Sequence, residues 1–459
     1  MTDDLLATVA SRIREYQRTV ADRPVRATAE AEELHARLGG ELPDGPTDDT
    51  AAITTLAAAL DIGTTATTGP RYFGFVIGGA MPVTIAADWL ASGTDINAGA
   101  YVLGPAAAVA EQVASAWLLD ILGLPGNATV GFTTGAMMAN FTGLAAARHQ
   151  VLAKGGWDVE RDGLQGAPRL HVVVGAERHV SIDSALRLLG VGDGTGHVVP
   201  ADEQGRMRAE ALASVLAQCD GPTIVCAQVG NVNSGACDPV GEICRLAHER
   251  GAWVHVDGAF GLWAAASPAL RPLVAGLDCA DSWATDAHKW LNVPYDSGLV
   301  IVAHPDAHRA PVRLSASYLG PDVDGHRDSD AYVPEMSRRA RGLAVWAALR
   351  TLGRSGVAEL VDRCCALARR FASQLDALDG VQVLNEVVLN QVVVRFGDSD
   401  EVTSRVIAAT QADGTCWFGG TMWRGVPAAR ISVSNWSTTE ADVDRSVATI
   451  SKALAESQR

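Results

Sequence analysis

Leu5, Val9, Ile13, Tyr16 and Val20 recur at three- and four-residue spacing with charged residues between them, which predicts an amphipathic helix over residues 3–21. Residues 22–50 carry more charge and then a Gly-Gly pair followed by two prolines. They end on Thr47-Asp48-Asp49, a sequence suited to capping the next helix. Val109, Val113, Trp117 and Ile121 fall on every fourth position and predict a helix over 106–122. From residue 129 the period changes. Short apolar runs at Thr129–Thr133, Leu170–Val174, Thr223–Gln228, Trp253–Asp257 and Gly298–Val302 alternate with helical stretches such as Met137–Leu152 and Ser181–Leu189. That alternation predicts βαβ units and an α/β fold with a mainly parallel sheet covered on both faces.

Past about residue 310 the pattern shifts again. Two helices are expected at Arg338–Leu352 and Val357–Leu378, strands at Gln391–Phe396 and Arg430–Val433, and a last helix from Glu440. The division expected is an N-terminal helical segment (1–75), a large α/β domain (76–310) and a smaller C-terminal α+β domain (311–459). The N-terminal segment is too short to make a core of its own, so it should pack on the main body or on a second subunit.

Composition narrows the function classes. Acidic residues outnumber basic ones 53 to 37, for a net charge of −16. Such a surface argues against sequence-independent nucleic-acid binding, which needs a basic face. Eight cysteines occur without a Cys-x-x-Cys pair, and no histidine cluster stands at zinc spacing, so neither a disulfide framework nor a metal is expected. The acidic start Met1-Thr2-Asp3-Asp4 lacks the basic and apolar regions of a secretion signal, and no run looks like a membrane helix. A cytoplasmic protein is the simplest expectation.

In a parallel α/β sheet, ligands bind at the carboxyl ends of the strands, so the residues after each strand carry the chemistry. Thr133-Thr134-Gly135-Ala136-Met137 follows the first run and opens a helix; small residues and free N–H groups there can cradle a phosphate. Glu177-Arg178-His179 follows the second, and His179 could stack on a flat ring and take part in proton transfer. Gly230-Asn231-Val232-Asn233 follows the third and offers polar contacts. The fourth run ends on Asp257, with the small Ala259 two residues on. Asp286-Ala287-His288-Lys289-Trp290 comes about thirty residues later. An acid that keeps a pyridine nitrogen protonated and a lysine in apolar company that forms a Schiff base are what a pyridoxal phosphate site needs.

On these motifs the chain resembles the group II pyridoxal phosphate-dependent amino-acid decarboxylases, which include the aromatic amino acid and glutamate decarboxylases. The resemblance is close over roughly residues 60 to 355. Ser337-Arg338-Arg339 followed by Leu343 and Trp346 adds to it. It implies the aspartate aminotransferase fold (type I), with a seven-stranded, mainly parallel sheet, and pyridoxal 5'-phosphate as cofactor. It implies a homodimer with active sites at the interface. By the same likeness Lys289 carries the cofactor, Asp257 pairs with its ring nitrogen, His179 stacks on the ring and His288 touches the phosphate. Gly135, Ala136, Met137, Asn231, Ala259 and Asp286 complete the cofactor set. Phe75, Ile77 and Tyr101 align with positions near the substrate side chain, and the small or apolar character of this group favours an aromatic or large apolar amino acid. Arg430 resembles the carboxylate-binding arginine of aminotransferases. Tyr332 is the candidate for the tyrosine that returns a proton to the α-carbon, in the short stretch from Tyr318 to Ser337.

The chain departs from the family pattern at three positions. Met137 stands where the phosphate turn usually has serine, Asp286 where many members have asparagine, and Gly69 where the family usually has histidine. Two other readings stay open at this point. One is an aminotransferase or carbon–carbon lyase on the same lysine, and the other is a catalytically idle relative that binds the cofactor.

Overall fold

The computed structural model describes residues 2–194, 196–313 and 326–458. It contains two compact units. The larger comprises residues 78–369 and 385–392, and the smaller comprises 1–77, 370–384 and 393–459.

The larger unit is built on seven strands: β1 (Thr129–Thr133), β2 (His171–Gly175), β3 (His197–Val199), β4 (Thr223–Gln228), β5 (Trp253–Asp257), β6 (Ser282–Asp286) and β7 (Gly298–Val302). Their order across the sheet is β1-β7-β6-β5-β4-β2-β3. β7 runs antiparallel to both its neighbours, and the other pairs are parallel. The expected mainly parallel seven-stranded sheet is therefore present. β4, β5 and β6 are buried along nearly their whole length, which is why they read as continuous apolar runs rather than alternating ones. Helices Ala136–Lys154 and Val180–Leu188 bury Leu144, Val151, Ile182 and Leu186 with strand residues Val172, Ile224 and Val300 in one apolar cluster.

Two further features of this unit position the site. The Arg338 side chain is fully buried with Glu111, 2.8 Å from its Oε1, and donates to the carbonyls of Ala98 and Phe132. It thereby ties the segment before the helix from Gly342 to the last turn of β1. Breaking one member of such a pair is costly, because it strands a buried charge. Second, a Cβ on Gly298 would sit 2.4 Å from the carbonyl carbon of Gly135. Only a glycine at the start of β7 lets the 133–136 turn lie against it.

In the smaller unit, Asp48 caps the helix Asp49–Gly63 by accepting the Ala51 N–H at 2.8 Å, as its sequence suggests. The N-terminal helix spans Thr2–Thr19. The N–H of Val25 donates to Gly414 and that of Ala66 to Val25, so N- and C-terminal segments are stitched together. A four-stranded sheet follows the order β10-β11-β9-β8, with β8 (Val381–Val383), β9 (Gln391–Phe396), β10 (Gly419–Trp423) and β11 (Val426–Ser432). These groupings differ from the division read off the sequence: residues 311–313 and 326–369 cluster with the large sheet, and residues 1–75 with the C-terminal strands. Hydrogen bonds between distant parts of the chain, such as Val25 to Gly414 and Arg338 to Phe132, set the grouping, and local periodicity does not report them.

Candidate active site

Asp257 ends β5 and Asp286 ends β6, and these strands are neighbours in the sheet. Both carboxylates are buried, at 4% and 2% exposure. A single backbone residue connects them. The N–H of Ala259 donates to Asp257 Oδ1 at 3.2 Å, and the carbonyl of Ala259 accepts from the N–H of Asp286 at 2.8 Å.

The hydrogen-bond donors around Asp257 are all neutral. Its Oδ2 accepts from Asn140 Nδ2 at 3.1 Å and from Ser181 Oγ at 3.3 Å. Behind Asn140 a buried chain runs across the sheet. Trp253 Nε1 donates to Ser282 Oγ at 2.8 Å; Ser282 Oγ and His255 Nδ1 lie 2.8 Å apart; His255 Nε2 and Asn140 Oδ1 lie 2.9 Å apart. Because the Asn140 amide donates to Asp257, its oxygen must accept, which assigns the proton of His255 to Nε2. Every donor in the chain then points toward Asp257. The arrangement requires a neutral imidazole, and burial pushes the His255 pKa down to about 3. A buried carboxylate fed only by neutral dipoles is a site for an incoming cation.

His179 caps the helix Val180–Leu188, accepting the Ser181 N–H on Nδ1 at 3.2 Å, and the Ser181 hydroxyl lies 2.8 Å from the same nitrogen. Ser181 therefore touches both His179 and Asp257. A cavity is lined by Glu177, His179, Cys226, Gln228, Asp238 and Asp257. The Asn231 side chain is committed to its own loop: its oxygen accepts the N–H groups of Asn233 and Ser234, and its amide donates to the Glu177 carbonyl at 3.2 Å.

Asp286 has the opposite surroundings. Its Oδ2 lies 2.8 Å from Lys289 Nζ, and its Oδ1 lies 3.3 Å from His288 Nε2 and accepts the N–H of Ala136 at 2.5 Å. Ala136 is the first residue of the helix Ala136–Lys154, so the carboxylate sits at a helix N-terminus, where an anion is stabilised. Gly135 precedes it in extended conformation, and Met137 is half-exposed. The His288 ring stacks on Tyr295 at 4.2 Å and accepts the Ser297 N–H on Nδ1. Burial lowers its pKa, opposed in part by Asp286. Gly78 closes this cluster: a Cβ there would meet the Lys289 carbonyl at 2.0 Å.

The structure thus brings Gly135, Ala136, Asp286, His288 and Lys289 into one cluster, and His179, Asp257 and Ala259 into an adjoining one. Asn140, Ser181 and His255 join them without having been singled out from sequence. The remaining candidates lie elsewhere. Tyr101 stacks on His326 at 4.0 Å and donates its N–H to Asp328. The Tyr332 ring lies beneath the Arg327 guanidinium at 4.2 Å and edge-on to His308 at 5.3 Å, and none of its contacts among the described residues is with the Lys289 or Asp257 cluster. Tyr318 lies outside the described residues. Phe75, Ile77 and Arg430 belong to the smaller unit. There Phe75 is 63% exposed and stacked on Trp417, and Arg430 pairs across the sheet with Gly419, its pKa lowered by burial.

These residues fit pyridoxal 5'-phosphate. A helix N-terminus beside His288 suits its phosphate, an amine in a buried setting suits its aldehyde, and a buried carboxylate with neutral donors suits its ring nitrogen. The comparisons agree. The pyridoxal-dependent decarboxylase conserved domain matches residues 32–396. An aromatic-L-amino-acid decarboxylase of Bacillus atrophaeus is 27% identical over 402 residues, covering 86% of this chain and 82% of that protein. Tryptophan decarboxylase 1 of Oryza sativa subsp. japonica is 28% identical over 401 residues, covering 81% and 76%. The crystal structure of Oryza sativa TDC with PLP and tryptamine superposes with a TM-score of 0.92 at 24% identity, covering 99% of this chain and 98% of that one. The chain belongs to the pyridoxal-dependent decarboxylase family and is a pyridoxal phosphate-dependent carboxy-lyase acting on an amino acid.

Proposed function

We propose that this enzyme removes the carboxyl group of an L-amino acid with an aromatic or large apolar side chain, giving the amine and carbon dioxide, and that it works as a cytoplasmic homodimer. The substrate class is supported by the curated relatives and by the apolar or small residues at the substrate-lining positions read from the sequence. A cytoplasmic setting is supported by eight cysteines that are all free thiols. No helix among the described residues is long and apolar enough to cross a membrane.

When bound, the cofactor supplies a protonated heterocycle that accepts the electron pair released with carbon dioxide. The chain's own residues do the rest. Lys289 Nζ would provide the amine that holds the cofactor aldehyde. Asp257 would hold the ring nitrogen in its cationic form, and its neutral donors fix the carboxylate in place. That stabilisation is greatest when charge flows into the ring, so it acts on the barrier more than on binding. His179, locked by Ser181 and by its capping position, would stack on the ring. His288 and the Ala136 N–H serve the phosphate. The Tyr332 hydroxyl makes no hydrogen bond among the described residues, and we assign it the proton return to the α-carbon. Tyr332→Phe with normal cofactor content and unchanged amine yield removes it from that role.

The observation that carries the proposal is the buried Asp257 with neutral donors, at the end of the strand beside the one that leads to Lys289. The test is to incubate the holoenzyme with a panel of aromatic, large aliphatic and acidic L-amino acids and follow carbon dioxide and amine by mass spectrometry. Stoichiometric amine and carbon dioxide from aromatic members supports the proposal. A keto acid without carbon dioxide contradicts it.

A further inference from the structure

The carboxyl ends of the strands carry the site described above. At the opposite, amino ends, three side chains with metal-binding atoms converge. His171 is the first residue of β2 and His197 the first of β3. In the parallel register Val173 stands opposite His197, so His171, two residues earlier, emerges on the same face. Cys219 lies in the turn between the helix Ala209–Leu216 and β4, whose Thr223 pairs with His171. His171 Nδ1 and His197 Nε2 face each other at 3.0 Å. One ligand atom from each of His171, His197 and Cys219 lies within 4.8 Å of the other two.

We propose that His171, His197 and Cys219 bind a divalent transition metal of the zinc class, with solvent in the fourth position. Tetrahedral zinc with ordinary bond lengths sets its nitrogen ligands about 3.3 Å apart, and nitrogen and sulfur about 3.6 Å apart. The imidazole pair is already within a few tenths of an ångström of that spacing, and the thiol reaches it by a side-chain movement of about 1 Å. The ligand set, two imidazoles and a thiolate, is one that selects zinc over calcium or magnesium. The outer shell is in place too: the far nitrogen of His171, Nε2, lies 3.1 Å from Asp220 Oδ1. A carboxylate on the non-ligating nitrogen is the usual partner of a metal-bound histidine, because it fixes the tautomer that leaves Nδ1 free for the metal. His171 is buried, whereas His197 and Cys219 are partly exposed, so an ion has a route from solvent.

The chemistry balances without a co-reactant. A cysteine thiol ordinarily carries its proton at neutral pH. Binding forms the metal–sulfur bond and sends that proton to solvent, about one per metal. Once bound, the ion joins β2, β3 and the turn before β4.

The experiment uses chelator-treated, desalted holoenzyme titrated with zinc by calorimetry in two buffers of different ionisation enthalpy, with bound metal counted by elemental analysis. Expected are one zinc per chain with submicromolar affinity, about one proton released, and a near-ultraviolet thiolate-to-metal band when cobalt replaces zinc. Cys219→Ser should lose the band and weaken binding at least about tenfold, His197→Ala should do the same, and Asp220→Asn should weaken it by about tenfold or more. Cys279→Ser, which alters the exposed thiol, should leave binding intact. Unchanged circular dichroism and cofactor absorbance in each variant show that it has folded. Absence of stoichiometric zinc, or equal affinity in Cys219→Ser and the parent, overturns the proposal. Neither result bears on decarboxylation, because the site at the other end of the strands is untouched.

Discussion

Asp257 and Asp286 end adjacent strands, are bridged by the backbone of the single residue Ala259, and are both buried, yet they face opposite environments. Asp286 is already compensated by Lys289, His288 and a helix N-terminus. Asp257 has Asn140, Ser181 and a backbone N–H, none of them charged. Burying a carboxylate without a cation is expensive, so a fold that keeps one ionised does so for something that brings the cation. Environment, not residue type, makes Asp286 a local counter-ion for the lysine and leaves Asp257 as the acid proposed to partner a ring nitrogen.

Variants that break the contrast should differ in size and in kind. Lys289→Ala should reduce turnover by more than about 10³-fold and abolish the cofactor absorbance near about 420 nm, because the covalent attachment is gone. Asp257→Asn removes the charge and keeps the shape. It should lower kcat by about 10²- to 10³-fold with the cofactor still bound, as removal of one preorganised electrostatic contact does. Asn140→Ala strips a donor from Asp257 and an acceptor from His255, and should cost about tenfold in kcat.

Two buried histidines, one of them in the donor chain, also predict a pH response. His255 and His308 are buried, with pKa values pushed down to about 3. Below the unfolded value of about 6.5, the unfolded chain takes up protons that the folded one refuses. Stability should therefore fall as pH drops from 6.5 toward 3, by about 1.4 kcal/mol per pH unit for each histidine. Denaturant titrations at pH 7 and pH 5 check this. The smallest effect is expected at Asp286→Asn. It removes an anion from the helix N-terminus where the phosphate belongs, so cofactor affinity should rise by about threefold, measured by equilibrium dialysis.

The contrast between the two acids was only half legible in the sequence. The lysine, both acids and the phosphate turn are visible because they lie at or just past strand ends and chain order presents them in series, although β6 itself is not among the runs expected. The donor chain is not, because its members come from two strands and a helix. His255 does leave a trace, as a polar residue inside the apolar run Val254-His255-Val256, and Asn140 sits one turn into the helix after the phosphate turn. Neither position names its partner. Likewise β3 has three residues and β10 begins Gly-Gly, so neither carries enough periodicity to be read. β10 is held by its hairpin, with Arg424 and Gly425 both at positive φ. His171, His197 and Cys219 are separated by 26 and 22 residues, and only the parallel register of β2 with β3 and β4 gathers them.

The most direct test of the central claim is nitrogen-15 NMR of holoenzyme carrying cofactor labelled at its ring nitrogen. A carboxylate held by neutral donors at Asp257 predicts a protonated ring nitrogen at pH 8 in the parent and an unprotonated one in Asp257→Asn. An unprotonated nitrogen in the parent, or a spectrum unchanged by the substitution, would contradict the account.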